Sequence, residues 1–225
     1  NGEKANRAKV NQNPVRSQKE IFGIVQTIYF SPEDLDIVRG DPSERRRFID
    51  QLLTLRSPRI AGVITDYERA VKQRNSLLKT RASNDALAPW DKQVADFGGQ
   101  LIALRMAALV ELKPLFNQIY KEISDTKPAE ITYKSSIENP STDDKENTIK
   151  IMEKLINNRG AEIDRGLTLC GPHRDDLTLM LGDHLVKGYA SHGVSWSIAL
   201  SLKLATYNLL KSDGLSPILI LDDVF

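Results

Sequence analysis

With 225 residues, 27% of them charged and 40% hydrophobic, the chain has the size of one large domain or two small ones and the composition of a soluble globular protein. No run approaches the roughly 20 apolar residues of a membrane span, no signal-peptide pattern opens it, and the lone Cys170 excludes an internal disulfide and a cysteine-rich zinc site, which fits a reducing compartment such as the cytoplasm. The net charge of +1 hides an asymmetry. Residues 1–81 carry 16 Lys and Arg against 10 Asp and Glu, the remainder 15 against 20; a basic first part suits nucleic acid, although such an excess is more often a solvated face.

Asn6 to Val15 alternates apolar and polar residues around AsnGlnAsnPro, which predicts a β-hairpin. Gly23 to Phe30 is rich in β-branched and aromatic residues and predicts a strand, followed by SerProGluAsp with Ser31 placed as an N-cap and Pro32 as the first helical residue. From Asp41 the period becomes helical, with Pro42 near the start and Phe48, Leu52 and Leu55 on one face. Arg45, Arg46 and Arg47 point around more than half a turn, so at least one pairs with a carboxylate and another is free for phosphate. A second helix is predicted from Pro58 to about Ala82, and one long helix or two in line from Ala86 to Ser124, with a kink at Gly98-Gly99. Trp90, Phe97, Leu101, Leu104 and Leu112 read as a core stripe. A strand is expected at Ile131–Ser136, a polar loop with a break in order at Glu138–Glu146, and a helix from Thr148 to about Arg159 that continues or resumes to Arg165 and is ended by Gly166.

Strands resume at Leu167–Cys170, and Asp176–Leu181 with His184–Tyr189 predicts a hairpin about Gly182-Asp183. Between them stands GlyProHisArgAspAsp. His173, Arg174, Asp175 and Asp176 invite a metal reading, but adjacent strand residues face opposite ways, so an Arg–Asp buttress for the hairpin is the stronger expectation. Ser191-His192-Gly193 precedes a helix expected from Val194 to Lys211. Its free N–H groups, hydroxyl and positive dipole end suit a phosphate. Ile218–Leu221 is all aliphatic, the pattern of a strand buried on both faces, and Asp222 and Asp223 follow at once. In phosphate-cleaving ATPases such a strand end gives one acid to the Mg²⁺ shell and the next to the attacking water. Ser-x-Gly before a helix is more often a plain N-cap, and two Asp after a strand a plain exit. Their order, with a helix and a short turn between them, is the stronger signal.

That order resembles the signature and Walker B motifs of ABC-type ATPase heads. Together with Phe30 to Asp50 and GlyProHisArgAspAspLeu it is similar to the RecF family of SMC-like ABC-type ATPases, over essentially the whole chain. The resemblance implies an α/β fold, α+β in character here: a partial P-loop ATPase head, residues 1–40 and 167–225, with an inserted helical lid at 41–166. It implies ATP and Mg²⁺ as cofactors. Ser191, His192 and Gly193 would contact nucleotide held by another protomer, Asp222 would hold Mg²⁺ through water, and Asp223 would orient the attacking water. Glu33 would sit in a loop sensing the γ-phosphate, and His173, Arg174 and Asp175 would buttress the site.

The family's role implies DNA binding at single-stranded/double-stranded junctions, an ATP-linked homodimer, RecO and RecR as partners, and RecA loading at gaps in DNA replication, damage repair and the SOS response, with no membrane association. Two alternatives are another SMC-like head, against which residues 57–124 show only interrupted apolar periodicity, and a non-catalytic helical module binding DNA or protein. No GxxxxGK[ST] loop occurs in the sequence, so the chain reads as a piece truncated at both ends, inactive alone. Val194 stands where the family pattern has a polar residue after the signature glycine.

Overall fold

A computed structural model describes residues 9–10, 12–14 and 26–224 of the chain. The expected N-terminal hairpin is present as β1 (Lys9–Val10) paired antiparallel with β2 (Asn13–Pro14). The rest of that hairpin, and residues 23–25 of the next expected strand, lie outside the described residues.

Strand β3 (Thr27–Phe30) runs through a 3₁₀ turn (Pro32–Asp34) into the short helix α1 (Leu35–Arg39). In the turn, the Ser31 N–H donates to Asp34 Oδ2 at 3.0 Å. Helix α2 (Pro42–Arg56) follows, with Phe48, Ile49, Leu52 and Leu53 buried and Leu55 partly so. Helices α3 (Ile60–Lys79) and α4 (Asn84–Ile123) come next. At 40 residues, α4 is about 60 Å long, and α2, α3, α5 and α7 all pack on it. The helix continues through Gly98-Gly99 without interruption. These glycines serve closeness instead of a break: a Cβ on Gly99 would lie 2.3 Å from Thr148 Oγ1, and one on Gly98 would lie 3.0 Å from Ile151 Cδ1.

Strand β4 (Ala129–Lys134) precedes α5 (Asp144–Asn157), which starts earlier than its apolar period suggests because Asp143 caps the Lys145 and Glu146 N–H groups. The polar loop before it is tied down: the Ser141 N–H donates to Asn147 Oδ1, and Lys150 and Lys154 donate to the carbonyls of Asn139 and Ser136. Helix α6 (Arg159–Arg165) ends at Gly166, whose φ of 64° is the left-handed cap expected of it. Strands β5 (Asp176–Leu181) and β6 (His184–Leu185) form the expected hairpin about Gly182, and β5 pairs with β4 in a three-stranded antiparallel sheet. The second strand is shorter than His184–Tyr189.

Two further expectations fail. Leu167–Cys170 forms no strand, because side chains take the bonds a neighbouring strand would take. Asn75 accepts the Thr168 N–H, Glu162 accepts the Leu169 N–H, and the Thr168 carbonyl accepts from His173 and Arg174. Strand β7 (Ile218–Leu221) pairs in parallel with β3, Thr27 opposite Ile218 through Phe30 opposite Leu221, but among the described residues it is covered on one face only. Helix α7 (His192–Ser212) packs there on β3, with Trp196 edge-on to Phe30 at 5.0 Å, and Leu219 is partly buried against the same core. On the other face Ile218 and Ile220 are 52% and 44% exposed. An aliphatic run states what a strand can bury, while cover depends on which elements pack against it.

Among the described residues no helix is long and apolar enough to cross a membrane. Cys170 is buried and unpaired, and burial pushes its thiol up to about 12.

A polar knot holds α3, α4 and α6 together. The fully buried Arg74 donates to Asp91 (2.7 Å), Glu162 (2.5 Å) and Thr168 (2.8 Å), and Arg159 also pairs with Asp91. Every arm of the guanidinium is satisfied, which is the condition for burying a charge. Replacing Arg74 with Met removes the cation and leaves Glu162 as a buried carboxylate without its counter-charge. The expected loss is about 3 kcal/mol of unfolding free energy, read as a fall in the urea midpoint at unchanged slope.

Candidate nucleotide-binding edges

Ser191, His192 and Gly193 are exposed at the start of α7. Ser191 is extended (φ −62°, ψ 170°) and accepts the Val194 N–H on its side chain at 3.3 Å, the geometry of an N-cap. The amides of His192 and Gly193 belong to the first turn, where no intrahelical acceptor exists. Nothing lies within 4 Å of a Cβ built on Gly193, so the turn opens to solvent. Beneath it, Ser195 Oγ donates to the Ser191 carbonyl and receives a bond from Arg39 Nε at 3.1 Å, while Arg39 NH1 donates to His192 Nδ1 at 3.3 Å.

The second edge is the end of β7. The Asp222 N–H donates to the Phe30 carbonyl (2.9 Å), extending the ladder by one bond, and Tyr29 Oη donates to Asp222 Oδ2 at 2.7 Å. That bond is the first cause holding the Tyr29 phenol above its ordinary value. Asp223 takes a left-handed backbone (φ 52°), so the two carboxylates do not alternate as in a strand. Both are exposed. Glu33, one turn beyond β3, is brought to the same edge. Its carboxyl is held below its usual range, first by the Ser31 hydroxyl and then by its own backbone, while the Asp222 charge opposes the shift.

The two edges are joined yet separate. Lys203 of α7 forms an ion pair with Asp34 (2.7 Å) and donates to the Tyr29 carbonyl (3.0 Å). It lies twelve residues beyond Ser191, about 18 Å along the helix at 1.5 Å per residue. Nearer the helix start, Trp196 packs on Phe30, whose carbonyl holds the Asp222 N–H; no hydrogen bond among the described residues links Ser191, His192 or Gly193 to Asp222 or Asp223.

His173, Arg174 and Asp175 fall in neither edge. Asp175, fully buried, accepts from Tyr133 Oη (2.7 Å), Ser135 Oγ (3.2 Å) and the Ser136 N–H (2.6 Å), pinning β4 to β5. The arginine of the expected buttress is not Arg174, which binds the Thr168 carbonyl, but Arg45, whose guanidinium is bidentate on Asp176 (2.7 and 3.0 Å) and reaches the Gly40 carbonyl. Arg46 donates to the Asp175 carbonyl and Arg47 pairs with Glu44. Arg105 is bidentate on Asp50 and also holds the Pro172 carbonyl. Gly171 is required here, since its φ is 113° and a Cβ would lie 2.4 Å from Tyr67 Oη.

His173 Nδ1 accepts from Tyr67 Oη (2.6 Å) and Nε2 donates to the Thr168 carbonyl (3.1 Å). Burial, with help from Arg174, Arg46 and Arg105, lowers its pKa to about 4, against the Thr168 bond. Between pH 6.5 and 4 the unfolded chain therefore takes up a proton that the folded one refuses. The stabilisation from neutral His173 is complete above about pH 6.5 and is lost as the pH falls towards 4, by about 3 kcal/mol. Unfolding at pH 7 and pH 5 should show a smaller pH dependence in His173→Asn than in the parent.

Sequence reasoning missed Tyr29, Lys203 and Arg39. Each acts through a partner more than 150 positions away, and no local pattern signals that.

The crossing of a parallel β3–β7 pair with α7, and the helices carried between Gly40 and Gly166, define the class of protein: part of an ABC-type ATPase head. No known family model matches the chain. The particular protein it is similar to is RecF. Over 96% of its length it matches the recombination mediator protein RecF of the RecFOR pathway in the state RecF-ATPrS, with 30% identity and a TM-score of 0.87. Over 97% it matches RecF-ATP, also with 30% identity and a TM-score of 0.87. The chain spans 60% of each of those chains.

Proposed function

We propose that the chain supplies two edges of a nucleotide sandwich formed between two protomers. The Ser191 turn reaches the terminal phosphate of ATP held by a second copy, and Asp222, with Glu33 beside it, manages the metal in the protomer's own site. Asp223 orients the attacking water. The observation that carries this reading is the open serine turn: Ser191, His192 and Gly193 are exposed at the start of α7, with nothing within 4 Å of a Cβ on Gly193, so the turn can meet a nucleotide held by another copy, as in two sites related by a two-fold axis.

Asp222 fits Mg²⁺. Tyr29 occupies Oδ2 and leaves Oδ1 for a metal-bound water, and Mg²⁺ is commonly held by one or two carboxylates plus waters and substrate phosphates. Among the described residues there is no cluster of three or more His, Cys, Asp or Glu suited to a metal, so the nucleotide would bring the remaining oxygens. Mg²⁺ would neutralise charge developing on the transferred phosphoryl group.

From the likeness to RecF, the whole protein is read as an ATP-binding, DNA-binding factor of recombinational repair and replication. On this reading it dimerises with ATP, works with RecO and RecR in the cytoplasm, and loads RecA at single-stranded/double-stranded junctions in the response to DNA damage. Residues 41–166 serve as its lid. Since the sequence lacks a GxxxxGK[ST] loop, the main phosphate grip is absent from these 225 residues.

The purified chain should therefore not turn over ATP. Turnover abolished by Asp223→Asn would overturn that. Mixed with a RecF protein carrying its own phosphate loop and a non-hydrolysable ATP analogue, the chain should associate in a nucleotide-dependent way, measured by sedimentation. Gly193→Asp should weaken the association at least tenfold. The turn has room for the side chain, and a carboxylate at a helix start favours the fold, so the loss would report repulsion of phosphate. Association indifferent to nucleotide would instead indicate a binding module.

A further inference from the structure

Arg39 is an exposed arginine that pairs with no carboxylate among the described residues. Instead, from the end of α1, it directs two of its donors to the first turn of α7: Nε to Ser195 Oγ (3.1 Å) and NH1 to His192 Nδ1 (3.3 Å). A guanidinium can only donate. The Nδ1 it meets is therefore an acceptor, and the neutral ring carries its proton on Nε2. The ring also lies over Trp196, one turn on, with centroids 6.3 Å apart and planes 31° apart, and Trp196 stands edge-on to Phe30. His192 is thus restrained at one ring nitrogen and beside Trp196, leaving Nε2–H as a donor with no acceptor among the described residues. Val194, by contrast, is partly buried against the core and offers the turn no polar side chain.

We propose that Arg39 is a positioning residue for the serine turn: it fixes His192 as the Nε2–H tautomer and aims that donor at the terminal phosphate held by a second copy. The proposal rests on the reading of the Ser191 turn given above. It assigns the polar contact that residue 194 cannot make to residue 192, and it places a second cation, not itself in contact with the nucleotide, next to the phosphate. Because Arg39 closes the segment that begins at the Asp222 edge with Phe30, it also ties the placement of the turn to the end of β3.

The test uses the intact chain, with the phosphate-loop-bearing RecF and the ATP analogue as the association probe. In Arg39→Met, nucleotide-dependent association should fall at least tenfold at an unchanged melting midpoint, and the nitrogen-15 resonance of His192 Nδ1 should move to that of a ring nitrogen lacking a donor. Arg39→Lys, which reaches one partner at a time, should recover part of the loss. His192→Gln, whose amide nitrogen stands near Nε2, should keep association within about threefold, about half of the 1.4 kcal/mol that a tenfold change represents, whereas His192→Asn, mimicking Nδ1, should lose it. If Arg39→Met leaves both association and resonance unchanged while Gly193→Asp abolishes association, Arg39 is not a positioning residue and the reading of the turn stands. If Gly193→Asp also leaves association intact, the turn does not meet phosphate and both ideas fall.

Discussion

The fastening of α7 to the end of β3 is the contact on which the rest of this architecture depends. Lys203 places its ammonium between the Asp34 carboxylate and the Tyr29 carbonyl, and both side chains of the ion pair are largely shielded, at 14% and 16% exposure. Two packed surfaces back it up: Trp196 on Phe30, and Leu219 of β7 against the same side of the sheet. From this junction the helix start projects one way and Asp222 leaves the strand another. An ion pair at a wet surface contributes little. This one gains from partial burial and from a second acceptor at fixed distance, and it sets a register that apolar packing alone would leave free to slide.

The same use of shared donors governs the helical part. Arg45, Arg74 and Arg105 are each nearly buried, at 6%, 0% and 3% exposure, and each is shared between a carboxylate and a backbone carbonyl or hydroxyl. Planar forks with several donors suit such positions because one side chain fixes several elements in relative orientation. Arg45 bridges α2, Gly40 and β5; Arg105 bridges α4, α2 and the turn at Pro172. The GlyProHisArgAspAsp stretch is thereby tied into the helical part through Asp175, Asp176 and the Pro172 carbonyl.

Much of this was legible in the sequence where periodicity is local. The helices α2, α3, α4 and α7 follow their apolar stripes to within a few residues, Gly166 ends α6 with the left-handed cap its position implies, and the β5–β6 hairpin turns at Gly182. The resemblance to RecF, which rests on motif order, is matched by the solved structures. The features that were not legible depended on distant partners. Thr168 looks like a strand residue but is satisfied by Asn75, 93 positions away. Gly98-Gly99 reads as a hinge until Thr148 is seen against it. At the candidate edges the exposed Ser191 turn and the Asp222 strand end were foreseeable, while Tyr29 and Arg39 became visible only when β3 and α1 were laid beside β7 and α7.

The positive φ of Asp223 narrows the choice of residues at that position. Side chains with a Cβ avoid this region, alanine at a cost of about 1–2 kcal/mol, whereas asparagine and aspartate enter it readily. An alanine there would strain the peptide that joins the acidic edge to Val224, and a dead variant would then mix lost chemistry with a shifted backbone. Asparagine preserves the curl of the chain while deleting one negative charge, so in this protein it is the replacement that separates electrostatics from conformation.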